Sequence, residues 1–180
     1  MATSAKATIS DLYRVRQKAE IVGGEVVVMS PTGGLPSSAG GVVYFSLRQH
    51  QLRVGWGRAY PDGAGFIVDL PNRRSFSPDA AYHAATAATM KFVEGAPLFA
   101  VEVRSEEDYG PAAEKRMADK RADYFAAGTA VVWDVDLLSP DAVRAHRAGE
   151  SSPRTFRRGQ VADAEPALPG WRFRVDELFE

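Results

Sequence analysis

Cysteine is missing from the 180-residue chain. Its absence excludes disulfides, thiolate metal sites and a cysteine nucleophile. Histidine is scarce: His50, His83 and His146 are scattered, and no two stand at a spacing that pairs them on a zinc-binding helix. A metal in this chain would be held by oxygen, which points to magnesium or manganese. Charge of one sign is lacking too, since 22 Lys and Arg against 23 Asp and Glu leave a formal net charge of −1. Such a balance gives no whole-protein attraction for nucleic acid, although it leaves room for a local basic groove. No apolar run approaches membrane-spanning length, and Met1-Ala2-Thr3-Ser4-Ala5-Lys6-Ala7-Thr8 lacks the apolar core of a signal peptide. A cytoplasmic protein without a membrane partner is expected. The chain has no internal repeat.

A hydrophobic share of 45% over this length suffices for one cored domain and is short for two. In order, Ser10-Asp11 before Leu12, Tyr13 and Val15 predicts a helix running to about Glu20, stopped by Gly23-Gly24. Residues 1–20 then form an N-terminal segment and helix, and residues 21–180 the main domain. Glu25-Val26-Val27-Val28-Met29 predicts a short strand, and Thr32 to Gly41 a loop that only superficially resembles a phosphate cradle, because no Gly-Lys-Ser/Thr follows. A helix is expected from Val42 to Val54, then a hairpin of Trp56 to Tyr60 with Gly65 to Leu70 around Pro61-Asp62-Gly63. Pro71-Asn72-Arg73-Arg74 is a basic turn, and Ala84 to Val93 an Ala-rich linker or helix. Ala130 to Asp136 predicts a buried strand and Ala142 to Arg147 an alternating one. A hairpin of Arg154 to Arg158 with Gly159 to Val161 precedes a closing helical turn at Asp176-Glu177-Leu178-Phe179.

The stretch Leu98 to Gly128 breaks the local rules twice. Glu102 sits inside the apolar strand Leu98-Phe99-Ala100-Val101-Glu102-Val103, where a carboxylate is costly unless paired or bound to a cation. On the helix that follows, 100° per residue places Ala113, Met117, Lys120 and Tyr124 on one apolar stripe and Lys115 on the opposite side. Lys120 therefore points inward. An ion pair tying helix to strand and a metal-assisted phosphodiester site both account for Glu102 with Lys120.

Six segments in order resemble one family: Gly24 to Pro31, Ser77-Pro78-Asp79-Ala80-Ala81-Tyr82, Phe99 to Ser105, Lys120 to Gly128, Val131 to Asp136, and Leu168-Pro169-Gly170-Trp171 with the final Asp-Glu-Leu-Phe. This order resembles the Uma2 family of restriction-endonuclease-like proteins, a branch of the PD-(D/E)XK nuclease superfamily, over about Ile21 to Phe179. The resemblance implies an α/β fold with a mixed central β-sheet flanked by helices in a single domain. It implies a divalent-metal-dependent endonuclease acting on DNA phosphodiester bonds as a homodimer, with Mg2+ or Mn2+ held by Asp79 and Glu102. Glu25 resembles an upstream glutamate that adds a further metal contact. Arg104 stands where the superfamily motif has its lysine, and Lys120 matches the family's displaced lysine; Asp79, Glu102 and Lys120 are thus the implied catalytic set. Arg73, Arg74, Arg104 and Tyr124 are candidate substrate contacts. Arginine at position 104 can stabilise charge and cannot serve as a general base. The alternative reading is a catalytically inactive nuclease-fold module that binds or regulates.

Overall fold

The computed structural model describes residues 6–180, so Met1 to Ala5 of the polar N-terminus lie outside the described residues. The first elements are helix α1 (Ile9–Leu12), strands β1 (Ala19–Val22) and β2 (Glu25–Val28), and the long helix α2 (Gly34–Val54). Next come β3 (Arg58–Pro61), β4 (Phe66–Ile67), β5 (Ser75–Phe76), β6 (Ala80–His83), β7 (Val93–Glu94) and β8 (Phe99–Val103). Helix α3 (Pro111–Ala126) leads to β9 (Val131–Val135), β10 (Val143–Arg147), β11 (Arg154–Phe156), β12 (Val161–Asp163) and β13 (Arg172–Arg174), and the 3-10 helix Val175–Phe179 closes the chain.

The central sheet has the strand order β11-β10-β9-β8-β6-β3. Its β8 and β9 are parallel and its other pairings antiparallel, so the sheet is mixed as expected. A parallel neighbour requires a crossover, and α3 supplies it. Alternation along the strands then sorts side chains to two faces. Phe99, Val101, Val103, Val131, Trp133 and Val135 pack with Ala39, Val43 and Leu47 of α2, whereas Ala81, Ala100 and Val132 pack with Tyr124 of α3. Trp171 of the Leu-Pro-Gly-Trp segment belongs to the α2 side; its ring centroid is 5.1 Å from that of Trp133, and its indole N–H donates to Ser46 Oγ at 3.1 Å. Burial of such aromatics is the largest apolar contribution a core of this size receives.

Four sequence expectations are corrected. Helix α1 covers only Ile9–Leu12, and Ala19 to Glu20 belong to a strand. Thr8 and Asp11 close a capping box over this single turn, but Gly23 and Gly24, with φ of 61° and 85°, form the two-residue turn of a β1-β2 hairpin and not a helix stop. Helix α2 begins at Gly34, inside the expected loop, because Pro36 falls in the first turn, where its missing N–H costs nothing, and because Ala39 and Gly40 are buried. The expected 56–70 hairpin is absent: β3 pairs with β6, and β4 pairs with β5 and β7 in a separate sheet. The expected late hairpin divides as well, β11 pairing with β10 at the edge of the large sheet and β12 with β13.

Candidate active site

The register of β6 on β8 pairs Ala81 with Ala100 and Ala80 with Val101. Asp79, the residue before β6, is thereby brought to the end of β8 that carries Glu102, so that carboxylates 23 positions apart in sequence come near enough for the charge of Asp79 to act on Glu102. Asp79 is fixed by its own strand end: its N–H donates to the Val101 carbonyl at 3.0 Å, and its Oδ2 accepts the Val103 N–H at 2.7 Å. Its other oxygen, Oδ1, takes the Lys18 ammonium at 2.8 Å.

Glu102 stands on the α3 face of β8. Its Oε2 takes the Lys120 ammonium at 2.8 Å, and its Oε1 accepts the Tyr124 hydroxyl at 2.7 Å. Tyr124 lies wholly inside, stacked on Phe76 with ring centroids 3.9 Å apart. Helical spacing thus delivers Lys120 and Tyr124, one turn apart, onto one carboxylate. Lys115 is exposed and pairs with Asp119, as the helical stripe predicts.

The carboxylate that sequence reasoning missed is Glu20, buried in β1. Its Oε1 is 2.9 Å from Lys120 Nζ and accepts the Ser77 N–H at 2.8 Å, while Oε2 takes Arg73. Arg73 also donates to Asp123 at 2.8 Å. Lys18, likewise missed, stands just ahead of β1 and bridges Asp79 to Asp62. The available signal was a charged residue in the alternating run Ala19-Glu20-Ile21-Val22 before Gly-Gly, which a helix over these residues hides.

The charges are in tension. Burial pushes the Glu102 carboxyl above the ordinary carboxylate range; Lys120 pulls it down, but Asp79 and Glu20 add like charge and the rise prevails. Glu20 is also raised by burial, yet Lys120 and Arg73 outweigh that and hold it below the ordinary value. Burial works against the Lys120 ammonium, and Glu102 with Glu20 more than offsets it, so its pKa lies above that of a free lysine. The result is three carboxylates crowded on two lysines and one arginine. Solvent reaches this group, the side chains of Asp79, Glu102, Lys18 and Lys120 being 17–22% exposed.

The remaining sequence-predicted residues lie elsewhere or face inward. Glu25 is exposed at the start of β2, and no ion pair or hydrogen bond among the described residues joins it to the group. Arg73 is buried between Glu20 and Asp123. Arg104 is buried too, its Nε and Nη2 gripping both oxygens of Asp134 at 2.8 and 2.7 Å while Nη1 and Nη2 hold Glu114. With Tyr124 enclosed, Arg74 is the expected substrate contact that is exposed. A cavity of about 480 Å³ lies near the end of α3, lined by Ile67, Leu70, Arg74, Glu94 and Ala127 among others, and contains none of Asp79, Glu102 and Lys120.

No cluster of three or more His, Asp or Glu among the described residues is arranged to hold a metal ion. The donor set nevertheless suits a hard cation: Asp79 and Glu102 offer oxygen only, and a divalent ion would offset both the burial that raises Glu102 and the smaller contribution of the Asp79 charge. Two carboxylates with water completing the coordination is the usual protein share of a magnesium site.

A mixed sheet covered by α2 on one face and α3 on the other is a nuclease-type α/β fold. It matches the crystal structure of a protein described as "a putative nuclease belonging to DUF820" from Anabaena variabilis, with a TM-score of 0.74 at 14% identity over 96% of this chain and 97% of that one. The model of the Uma2 family, described as "Putative restriction endonuclease", matches residues 9–176. The chain belongs to that family. No curated protein matches it. No helix among the described residues is long and apolar enough to cross a membrane.

Proposed function

We propose that the protein is a divalent-metal-dependent endonuclease that hydrolyses DNA phosphodiester bonds, with Asp79 and Glu102 as the metal-holding pair and Lys120 as the catalytic ammonium. The observation that carries this reading is the pair of partly exposed carboxylates, Asp79 and Glu102, at one end of the β6-β8 pair, with the Lys120 ammonium 2.8 Å from Glu102. A purely structural ion pair has no use for a second carboxylate whose charge opposes the first, nor for access to solvent. A Mg2+ or Mn2+ ion held by Asp79 and Glu102 would supply charge neutralisation at the phosphoryl oxygens and an attacking water of lowered pKa.

The chain's own groups do the rest. The Val103 N–H aims Asp79, and the Tyr124 hydroxyl fixes one oxygen of Glu102, so both carboxylates are oriented before any ligand arrives. Lys120, held at the site by Glu102 and Glu20, faces the place where phosphoryl charge would develop and acts as a fixed cation. Glu20 replaces Glu25 as the supporting carboxylate, acting on Lys120 and not on the metal. Arg74 is the phosphate contact, and a homodimer would bring two sites to the two strands of a duplex.

Calorimetric titration of Mn2+ into the wild type and Asp79→Ala, together with plasmid nicking in Mg2+, tests the reading. The expected result is binding lost in Asp79→Ala, and cleavage lowered on the order of 10²–10³-fold in both Asp79→Ala and Lys120→Ala. Metal binding that survives in Asp79→Ala, or cleavage that ignores both substitutions, would overturn it.

A further inference from the structure

Lys18, like Lys120, bridges two carboxylates, but one of its two stands well out in solvent. Its Nζ is 2.8 Å from Asp79 Oδ1 and 2.5 Å from Asp62 Oδ1. Asp79 is an inner seat, 17% exposed and anchored by the Val103 N–H. Asp62 is an outer one, 54% exposed, in the turn after β3. Both line one narrow crevice with Thr32, Pro36, Ser37 and Gly40. The Val103 N–H takes Asp79 Oδ2 and the Lys18 ammonium takes Oδ1, so a cation from solution would share either oxygen with a donor, and at Oδ1 that donor carries a full positive charge. Two positive centres on one carboxylate oxygen repel each other strongly in a partly dry site.

We propose that Lys18 is the resident counter-cation of Asp79, and that a divalent ion displaces it onto Asp62. This rests on the metal-dependent reading above and adds to it a cause of order: the metal position is closed by an ammonium when empty, and opens by moving that ammonium from an inner carboxylate to an outer one. The chemistry of the side chain suits the task. A lysine is a point charge on a flexible four-carbon stem and can change seats by rotamer changes, whereas an arginine would be locked by its planar fork. A bare Asp79 would be a costly partly buried anion, so a device that neutralises it in the empty state stabilises the fold. Asp62 keeps Lys18 from becoming an unpaired buried cation once the metal has arrived.

The test is Mn2+ calorimetry on the full chain in the wild type, Lys18→Met, Asp62→Asn and the double variant, with Asp79→Ala as the control. Removing the competitor should tighten Mn2+ binding about tenfold in Lys18→Met, a change of about 1.4 kcal/mol. Asp62→Asn removes the outer seat, commits Lys18 to Asp79 and should weaken binding several-fold. In the Lys18→Met background the Asp62 substitution should have no further effect, a non-additivity that a double-mutant cycle reads directly. Unchanged or weaker binding in Lys18→Met overturns the displacement. An Asp62→Asn effect of equal size in both backgrounds overturns the hand-over, since Asp62 would then act only through its field. Binding that is absent throughout, or insensitive to Asp79→Ala, removes the metal reading itself and the inference with it. Should Lys18→Met fail to fold, Asp62→Asn alone decides, because an unchanged affinity there overturns the proposal.

Discussion

Glu102 and Asp134 stand side by side in register on β8 and β9, both on the face that α3 covers, yet their surroundings follow opposite rules. Asp134 is gripped by two nitrogens of Arg104, with Arg144 at 3.7 Å, and the Arg104 and Asp134 side chains are only 3% and 5% exposed. The Arg104 guanidinium also binds Glu114 and the Asp108 carbonyl, and Asp134 first, with Glu114, lifts its pKa further above the ordinary arginine value. Arg104, Asp134 and Glu114 each have their partners there. Glu102, one strand away, is 22% exposed and is the acid whose charge burial, with Asp79 and Glu20, disfavours more than Lys120 supports it. A closed network costs nothing further and offers nothing to a ligand; a crowded, solvent-facing one is held in readiness for a cation. The comparison assigns Arg104 to the scaffold, although sequence placed it among the substrate contacts.

Breaking the closed network should have the larger effect on stability. Arg104→Ala leaves Asp134 charged, buried and without its bidentate partner, and should cost about 3–5 kcal/mol in urea denaturation. The acids of the other group should respond in opposite directions. Glu20, held ionised by Lys120 and Arg73, should lose about 1–3 kcal/mol as Glu20→Gln. Glu102→Gln, which removes a charge that the fold disfavours, should match or exceed the wild-type stability at pH 8 in the same assay. A smaller effect separates the regions by pH. His146, on β10 beside Asp134 and Arg144, is lowered to about 4, first by burial and then by Arg121, and its Nε2 has no partner. The unfolded chain therefore binds a proton between about pH 6.5 and 4 that the folded chain refuses, so His146 makes stability fall as pH falls through that window. Thermal melts should show that part of the decline flattened in His146→Phe.

Much of this was legible because it violated a local pattern. Glu102 announced itself as a charge among β-formers and Lys120 as a charge on an apolar stripe, and both meet where the helix and strand periods placed them. Asp79 rested on resemblance alone, since a Pro-Asp pair by itself reads as a turn. What sequence hid was register. That Asp79 comes to the Glu102 end of β8, or that Arg104 reaches Asp134, depends on which strands pair and at what offset. Glu20 and Lys18 were lost to a different cause, the reading of a two-glycine hairpin as a helix stop, which left β1 unrecognised and with it two of the site's charges.

The members of the site are spread across the chain. Lys18 and Glu20 come with the first strand, Asp79 and Glu102 with the middle of the sheet, and Lys120 only with the helix that follows. A chain emerging from synthesis therefore carries its acids before the lysine on which two of them converge, and it has no assembled site until α3 has been made and docked. Cutting anywhere between Lys18 and Lys120 separates partners that no fragment holds together, so the arrangement is a property of the finished domain alone.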